Sequence, residues 1–154
     1  MSDARNPSFS ETSGFPAAPN ARTGLGVEEL KQSFLDSLLC GLGRVPAAAT
    51  RNDLYTAVVL AVRDRVLMRG VRTLETFARQ DARAVAYLSA EFLPGPHLAN
   101  NLLNLGIAEE ARRALKELGH DLDELIEQEE EPGLGNGGLG RLASCYLDSM
   151  ATLG

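Results

Sequence analysis

Hydrophobic residues recur every three to four positions along most of the chain after residue 26. The first such stripe predicts a helix that ends near Gly41 and Gly43, and its members are Val27, Leu30, Phe34, Leu38 and Leu42. Residues 1–26 lack this period and are rich in Ser, Pro, Gly, Asn and Ala. We therefore expect a flexible N-terminal tail over 1–26 and a folded unit over 27–154.

A long second helix is predicted after Pro46. Thr50 and Asp53 stand at the spacing of a capping box, which marks a helix start. The apolar period that follows predicts a buried face made of Leu54, Val58, Val62, Val66 and Leu74. Arginines of the same helix are expected largely off that face; they are Arg63, Arg65, Arg69 and Arg72.

The second half of the chain predicts one strand and several short helices. Residues 84–92 (AVAYLSAEF) are apolar and are closed by a Pro-Gly-Pro sequence, which favours a buried strand. Two helices broken by Gly106 and a short helix over 122–126 are predicted next. Since a lone strand cannot form a sheet, either the domain is mostly helical or the partner strands lie elsewhere.

The charge of the chain is concentrated in one segment. The formal net charge is −6, and residues 121–131 (DLDELIEQEEE) hold seven carboxylates, which we interpret as a solvated helix face that leads into a loop. No basic stripe with interleaved aromatic residues occurs, so a nucleic-acid partner is not expected. No apolar stretch is long enough to span a bilayer, so no membrane role is expected.

Two cysteines bear on the compartment. Cys40 and Cys145 lie in apolar stretches without the spacing of a metal site. They are therefore interpreted as buried thiols, no metal is expected, and the protein is expected to be cytoplasmic.

The most informative segment is a glycine-rich loop that runs directly into an apolar-periodic helix, over 133–154. Small residues let backbone N–H groups approach an anion, and a helix start adds unpaired donors and partial positive charge. The predicted ligand is a phosphate or another anion. The alternative is that the glycines only form a tight turn and a close helix contact.

Two overlapping G-x-G-x-x-G matches occur within 133–140, but their context argues against a dinucleotide site. That fingerprint follows a strand and precedes an acidic residue about twenty positions later. Here an acidic run and Pro132 come first, and no acidic residue follows at that distance. No G-K-[ST] follows either, which excludes a P-loop.

The residues of this loop also resemble a known family. GLGNGGLGRLASCYLDSMATLG at 133–154 is similar to the signature segment of the α-glucan phosphorylases, which comprise the glycogen, starch and maltodextrin phosphorylases. Other segments resemble the same family in the same order: VEELKQSF at 27–34, VRDRV at 62–66, YLSAEF at 87–92, NNLLNLGIAEEARRALKELG at 100–119 and DLDELIEQEEEPGLGNGG at 121–138. The resemblance covers 27–154.

The resemblance implies a fold and an activity. Members cleave α-1,4-glucans with inorganic phosphate to release glucose 1-phosphate, and they use pyridoxal 5′-phosphate. They are glycosyltransferases of the GT-B type, with two Rossmann-like domains facing a cleft, and a homodimer is implied. This chain would be an α/β but predominantly helical, incomplete N-terminal domain that is truncated after the glycine loop and its helix.

The resemblance also assigns site residues. The loop that contacts cofactor phosphate, substrate phosphate and sugar is matched by Asn136, Gly137, Gly138 and Leu139, and His97 is a candidate for the rim of the cleft. No catalytic residue is expected here, since Lys31 and Lys116 both lie on charged helix faces and the Schiff-base lysine is expected in the C-terminal domain. The chain alone is expected to be inactive. The alternative is a stand-alone helical binding module that keeps the phosphate- or glucan-facing loop.

Overall fold

A computed structural model describes residues 19–153, which fold into six α-helices. The helices are α1 (Val27–Asp36), α2 (Arg51–Gln80), α3 (Leu98–Leu105), α4 (Ala108–Glu117), α5 (Leu122–Ile126) and α6 (Gly138–Leu153). A π-helical turn over Ser37–Gly41 continues α1, and a short 3₁₀ helix over Pro46–Ala48 precedes α2. None of these helices is long and apolar enough to cross a membrane.

The hydrophobic core is built by α1 to α5. α1 packs on α2 and α4, while α3 and α5 also contact both α2 and α4. The predicted stripe of α1 faces this core, where Leu30, Phe34 and Leu38 are buried. The core cluster takes no residue from α6. The glycine-rich segment and its helix therefore lie outside the helical core.

The helix ends confirm the predicted start and stop signals. Thr50 Oγ1 accepts a hydrogen bond from the Asp53 N–H at 3.2 Å, and Asp53 Oδ2 accepts one from the Thr50 N–H at 2.9 Å. The bond from the Thr50 N–H, together with one that Thr50 Oγ1 donates to Asp53 Oδ2 at 2.8 Å, holds the pKa of the Asp53 carboxyl below its usual value. Gly106 ends α3 with a φ of +71°, a conformation that glycine adopts at little cost, so the predicted break between α3 and α4 is confirmed.

The predicted buried face of α2 is correct only for its first half. Leu54, Val58 and Val62 are buried, whereas Val66 is 37% exposed and Leu74 is 65% exposed. The prediction was wrong at these two positions because α2 has 30 residues, a length of about 45 Å, and its partners have at most 10. Its second half extends past the helices that could cover it.

Arg65 was predicted off the buried face of α2, and the structure corrects this. Its side chain is fully buried and donates hydrogen bonds to the carbonyl oxygens of Gly24 (2.8 Å), Ala61 (2.7 Å) and Ala21 (3.1 Å), and to Ser33 Oγ (3.3 Å). Burial lowers the pKa of this guanidinium. Arg65 thus fixes residues 21–24, within the predicted 1–26 tail, against α1 and α2. Residues 1–18 of that tail lie outside the described residues.

The buried strand predicted over 84–92 is not present. These residues run as extended chain with a single isolated antiparallel bridge between Phe92 and Leu134, and no strand occurs within 19–153. Val85 is 84% exposed and Leu88 is 92% exposed. The described part of the chain offers no partner strand, so residues 84–91 make no backbone–backbone hydrogen bond with it, and Val85 and Leu88 remain uncovered.

The cysteine prediction was also wrong. Both Cys40 and Cys145 are exposed. Cys40 lies in the π-helical turn after α1, and Cys145 lies on α6, which the helical core does not surround. An apolar sequence neighbourhood therefore did not imply a covered thiol, and the buried-thiol argument for a reducing compartment does not hold.

We expect the isolated chain to self-associate through the extended segment 84–92, because an apolar segment with unpaired backbone groups can pair with another copy. The double variant Val85→Lys and Leu88→Lys should reduce the associated fraction in sedimentation velocity. Leu103→Lys is the matched control, since Leu103 is 71% exposed on α3 but lies outside the extended segment. A monodisperse monomer of the unmodified chain with a sharp, cooperative thermal transition would contradict this expectation.

Candidate functional site

The glycine loop, residues 133–137, lies against the segment 91–93 immediately before α6. Phe92 and Leu134 exchange two backbone hydrogen bonds, of 2.7 and 2.8 Å. The Leu93 N–H donates to the Gly140 carbonyl oxygen at 3.1 Å, and Ser144 Oγ donates to the Leu93 carbonyl oxygen at 3.0 Å. The start of α6 is thus positioned by a short stretch of chain that lies almost fifty residues earlier in the sequence.

One group of glycines is required by this close contact. A Cβ atom at Gly133 would lie 2.7 Å from Leu93 Cδ2, and one at Gly140 would lie 2.9 Å from Leu93 Cγ. At Gly135, where φ is +116°, a Cβ atom would lie 2.5 to 2.7 Å from three carbon atoms of Glu91. Real Cβ contacts are not this short, so packing against 91–93 explains these three glycines.

A second group faces open space. A Cβ atom at Gly137 or Gly138 would meet nothing within 4 Å, and neither residue has a positive φ. Packing within the described part of the chain therefore does not require glycine at these two positions. A missing side chain there leaves the backbone open to the close approach of a ligand.

The predicted loop residues lie together on this open edge. Asn136, Gly137, Gly138 and Leu139 are consecutive and exposed, and α6 begins among them. The N–H groups of Gly138 and Leu139 make no hydrogen bond with any described residue, as expected for the first turn of a helix. Such donors, at the positive end of the helix dipole, can bind a phosphate oxygen or a sugar hydroxyl.

A third donor of the first turn is already occupied. The Gly140 N–H donates to Glu91 Oε2 at 3.2 Å. Sequence reasoning did not single out Glu91, because no local pattern indicates that residue 91 contacts residue 140. The helix N-terminus therefore carries a carboxylate of this chain on one side and exposed donors on the other.

His97 lies at the start of α3 and not in the glycine loop. Glu129, from the acidic run, accepts hydrogen bonds from the backbone N–H groups of His97 (2.7 Å) and Leu98 (3.0 and 3.2 Å). The half-buried His97 imidazole makes no hydrogen bond with the described residues. The acidic run was interpreted as a solvated face, and this is incorrect for Glu129, which is half-buried and caps α3.

Neither lysine of the chain lies in the glycine loop. The ammonium group of Lys31 is held between Glu117 (2.8 Å) and Glu28 (3.1 Å), and these hydrogen bonds raise its pKa. Lys116 is exposed on α4. Within 19–153, no three His, Cys, Asp or Glu residues lie together as a metal site would require. The loop donors fit a phosphate group, whereas neither lysine fits the aldehyde of pyridoxal phosphate.

Comparison with known proteins confirms the resemblance to the phosphorylases. The family model for carbohydrate phosphorylases matches residues 115–154, which include the glycine loop and α6. The chain is 53% identical over 145 residues to a glycogen phosphorylase of Synechocystis, an alignment that covers 94% of this chain. It is 46% identical to a glycogen phosphorylase of Chlamydia trachomatis and 48% identical to the brain form of Bos taurus, over 86% and 85% of the chain.

The same comparisons also show how much of each relative the chain matches. The chain spans 16 to 17% of the length of these curated relatives. It is therefore related to the phosphorylases as a segment, and the relatives contain much more chain than the helices and the loop described above.

Proposed function

We propose that this chain, a relative of the carbohydrate phosphorylases, is the N-terminal part of an α-1,4-glucan phosphorylase. The whole enzyme would cleave glycogen-type glucans with inorganic phosphate and release glucose 1-phosphate. The observation that carries the proposal is the 53% identity over 145 residues, which extends across nearly the whole chain. The open backbone at Gly137 and Gly138 supports it, because packing within the described part of the chain does not account for these glycines.

The part of the reaction that we assign to this chain is anion and sugar binding. The N–H groups of Gly138 and Leu139 donate toward a phosphate oxygen, while Asn136 and Gly137 contact the sugar or phosphate beside it. The positive potential at a helix N-terminus attracts a phosphate most strongly when the site is a cleft that excludes water. The remainder of the enzyme would provide the opposite wall, which agrees with the exposure of these loop residues.

Pyridoxal 5′-phosphate, when bound, would supply a phosphate group for proton transfer. Its phosphate fits the loop donors, and its lysine would come from another part of the enzyme, since Lys31 is held by two carboxylates on α1 and α4. We further propose that this chain forms the incomplete first Rossmann-like domain of a GT-B fold. His97 would lie at the cleft rim, and the whole enzyme would be a cytoplasmic homodimer.

The binding-module alternative has one observation in its favour. The core of α1 to α5 closes without any residue of α6, so a helical unit could fold while α6 presents the loop to a ligand. Co-sedimentation of the purified chain with glycogen separates the two functions. The enzyme-segment proposal predicts no retention of the chain on glycogen, whereas the module predicts retention that a Gly138→Val variant loses.

The enzyme-segment proposal also predicts that the chain alone is inactive. The purified chain mixed with pyridoxal phosphate, glycogen and inorganic phosphate should show neither imine absorbance nor glucose 1-phosphate. The remaining portion of the Synechocystis enzyme, expressed without its aligned segment, should gain activity when this chain is added. Activity of the chain alone, or no gain on mixing two folded parts, would contradict the proposal.

A further inference from the structure

We propose that Glu91 is a positioning residue that fixes the glycine loop in its ligand-binding conformation. This inference rests on the proposed function, because it assigns Glu91 a role toward the donors of Gly138 and Leu139. Glu91 itself would touch no ligand. It acts through the backbone of Gly135 and Gly140.

The contacts of the Glu91 side chain hold both ends of the loop. Its Oε2 accepts a hydrogen bond from the Gly140 N–H in the first turn of α6. Its Cβ, Cγ and Cδ atoms occupy the space that a side chain at Gly135 would need. One side chain therefore contacts the residues that flank 136–139. The open N–H donors of Gly138 and Leu139 lie between these two contacts.

Glu91 is in turn held in place by its own segment. Ser89 Oγ donates to the Glu91 carbonyl oxygen at 2.6 Å and accepts from the Glu91 N–H at 3.2 Å. The next residue, Phe92, pairs with Leu134 through two backbone hydrogen bonds. The backbone of Glu91 is thus held on both sides, which orients its side chain toward the loop, as a precise binding geometry requires.

The carboxylate also divides the donors of the helix N-terminus. Because the Gly140 N–H already donates to Glu91, only the N–H groups of Gly138 and Leu139 among these three are available to bind a phosphate or a hydroxyl group. The hydrogen bond and the negative charge can be separated by substitution. Glu91→Gln keeps an oxygen acceptor and removes the charge, whereas Glu91→Ala removes both.

Amide exchange tests the inference without any catalysis. In the 154-residue chain, Glu91→Ala should speed exchange in peptides covering residues 135–142 by about tenfold, since local opening sets the exchange rate where a hydrogen bond is lost. Glu91→Gln should stay within about twofold of the parent chain. Glu130→Ala is the control, since Glu130 is an exposed carboxylate of the acidic run. Unchanged exchange in Glu91→Ala, or equal acceleration in Glu91→Gln, would overturn the positioning role.

A second measurement connects the position of the loop to the proposed reaction. In a full-length phosphorylase carrying this segment, Glu91→Ala should raise the KM for inorganic phosphate by about tenfold and Glu91→Gln should restore it. An unchanged KM in Glu91→Ala would overturn the role toward the ligand. If the unsubstituted full-length enzyme shows no activity, the proposed function fails, while the exchange result still decides whether Glu91 holds the loop.

Discussion

Arg65→Ala should destabilise the fold more than any other single substitution of a charged residue in the described part of the chain. The change removes four hydrogen bonds from a side chain that is 2% exposed, and it leaves the carbonyl oxygens of Ala21 and Gly24 without this donor. We expect a loss of about 3 kcal/mol in the free energy of unfolding, measured by urea denaturation. Arg65→Lys should recover only part of it, because an ammonium group cannot reproduce the planar fork.

The neighbouring Arg63 provides a matched control for this experiment. Arg63 is exposed on the same helix, and among the described residues its guanidinium forms an ion pair only with the adjacent Asp64, at 3.1 Å. Arg63→Ala should change stability by less than about 0.5 kcal/mol, as is usual for an exposed ion pair. Equal destabilisation by the two substitutions would show that Arg65 is not the residue that fixes 21–24 to α1 and α2.

Gly135→Ala should displace the glycine loop and abolish most of the activity of a full-length enzyme that carries this segment. A Cβ atom at residue 135 would collide with Glu91, and the alanine backbone would also have to adopt a φ of +116°. The loop must therefore move, and a displacement of about 1 Å in a reacting site can cost about a hundredfold in rate. We expect a loss of that size in glucose 1-phosphate release.

Two other glycines serve as controls that separate backbone strain from collision. Gly43 has a φ of +64°, and a Cβ atom there would meet nothing within 4 Å, so Gly43→Ala adds backbone strain without a collision. Gly137→Ala adds neither, and its effect on thermal stability should be close to zero. A Gly135→Ala enzyme with full activity would show that the contact with Glu91 does not control the loop.

The sequence predicted the helices of this fold well, since their signals are local. The stripe of α1, the capping box of Thr50 and Asp53, and the break at Gly106 each depend on residues within one or two turns. Such short-range patterns are determined by side-chain period and backbone conformation alone.

The burial predictions were wrong where burial depends on the distant segment that packs against a residue. Leu74 and Leu88 have apolar character, but the described chain places nothing over them, so burial failed there. Arg65 is polar, yet carbonyl oxygens forty residues earlier satisfy its donors and allow it to be buried. Neither result is encoded in a periodic pattern, because each depends on a distant segment.

In the candidate site, too, local features were predictable and features that depend on distant segments were not. The spacing of the glycines indicated a loop before a helix, and α6 does begin at Gly138. The sequence could not show which glycines are required by packing and which are open, since this depends on the contact of the loop with residues 91–93. That contact also introduced Glu91, for which the sequence offered no signal.

A segment exchange tests the central proposal most directly. The segment of Synechocystis glycogen phosphorylase that aligns with this chain would be replaced by the 145 aligned residues of this chain, and release of glucose 1-phosphate from glycogen and phosphate would be measured. If this chain is part of a glucan phosphorylase, the exchanged enzyme should retain activity within about tenfold of the parent. A folded exchanged enzyme without phosphorolytic activity would contradict the proposal that this chain is part of a glucan phosphorylase.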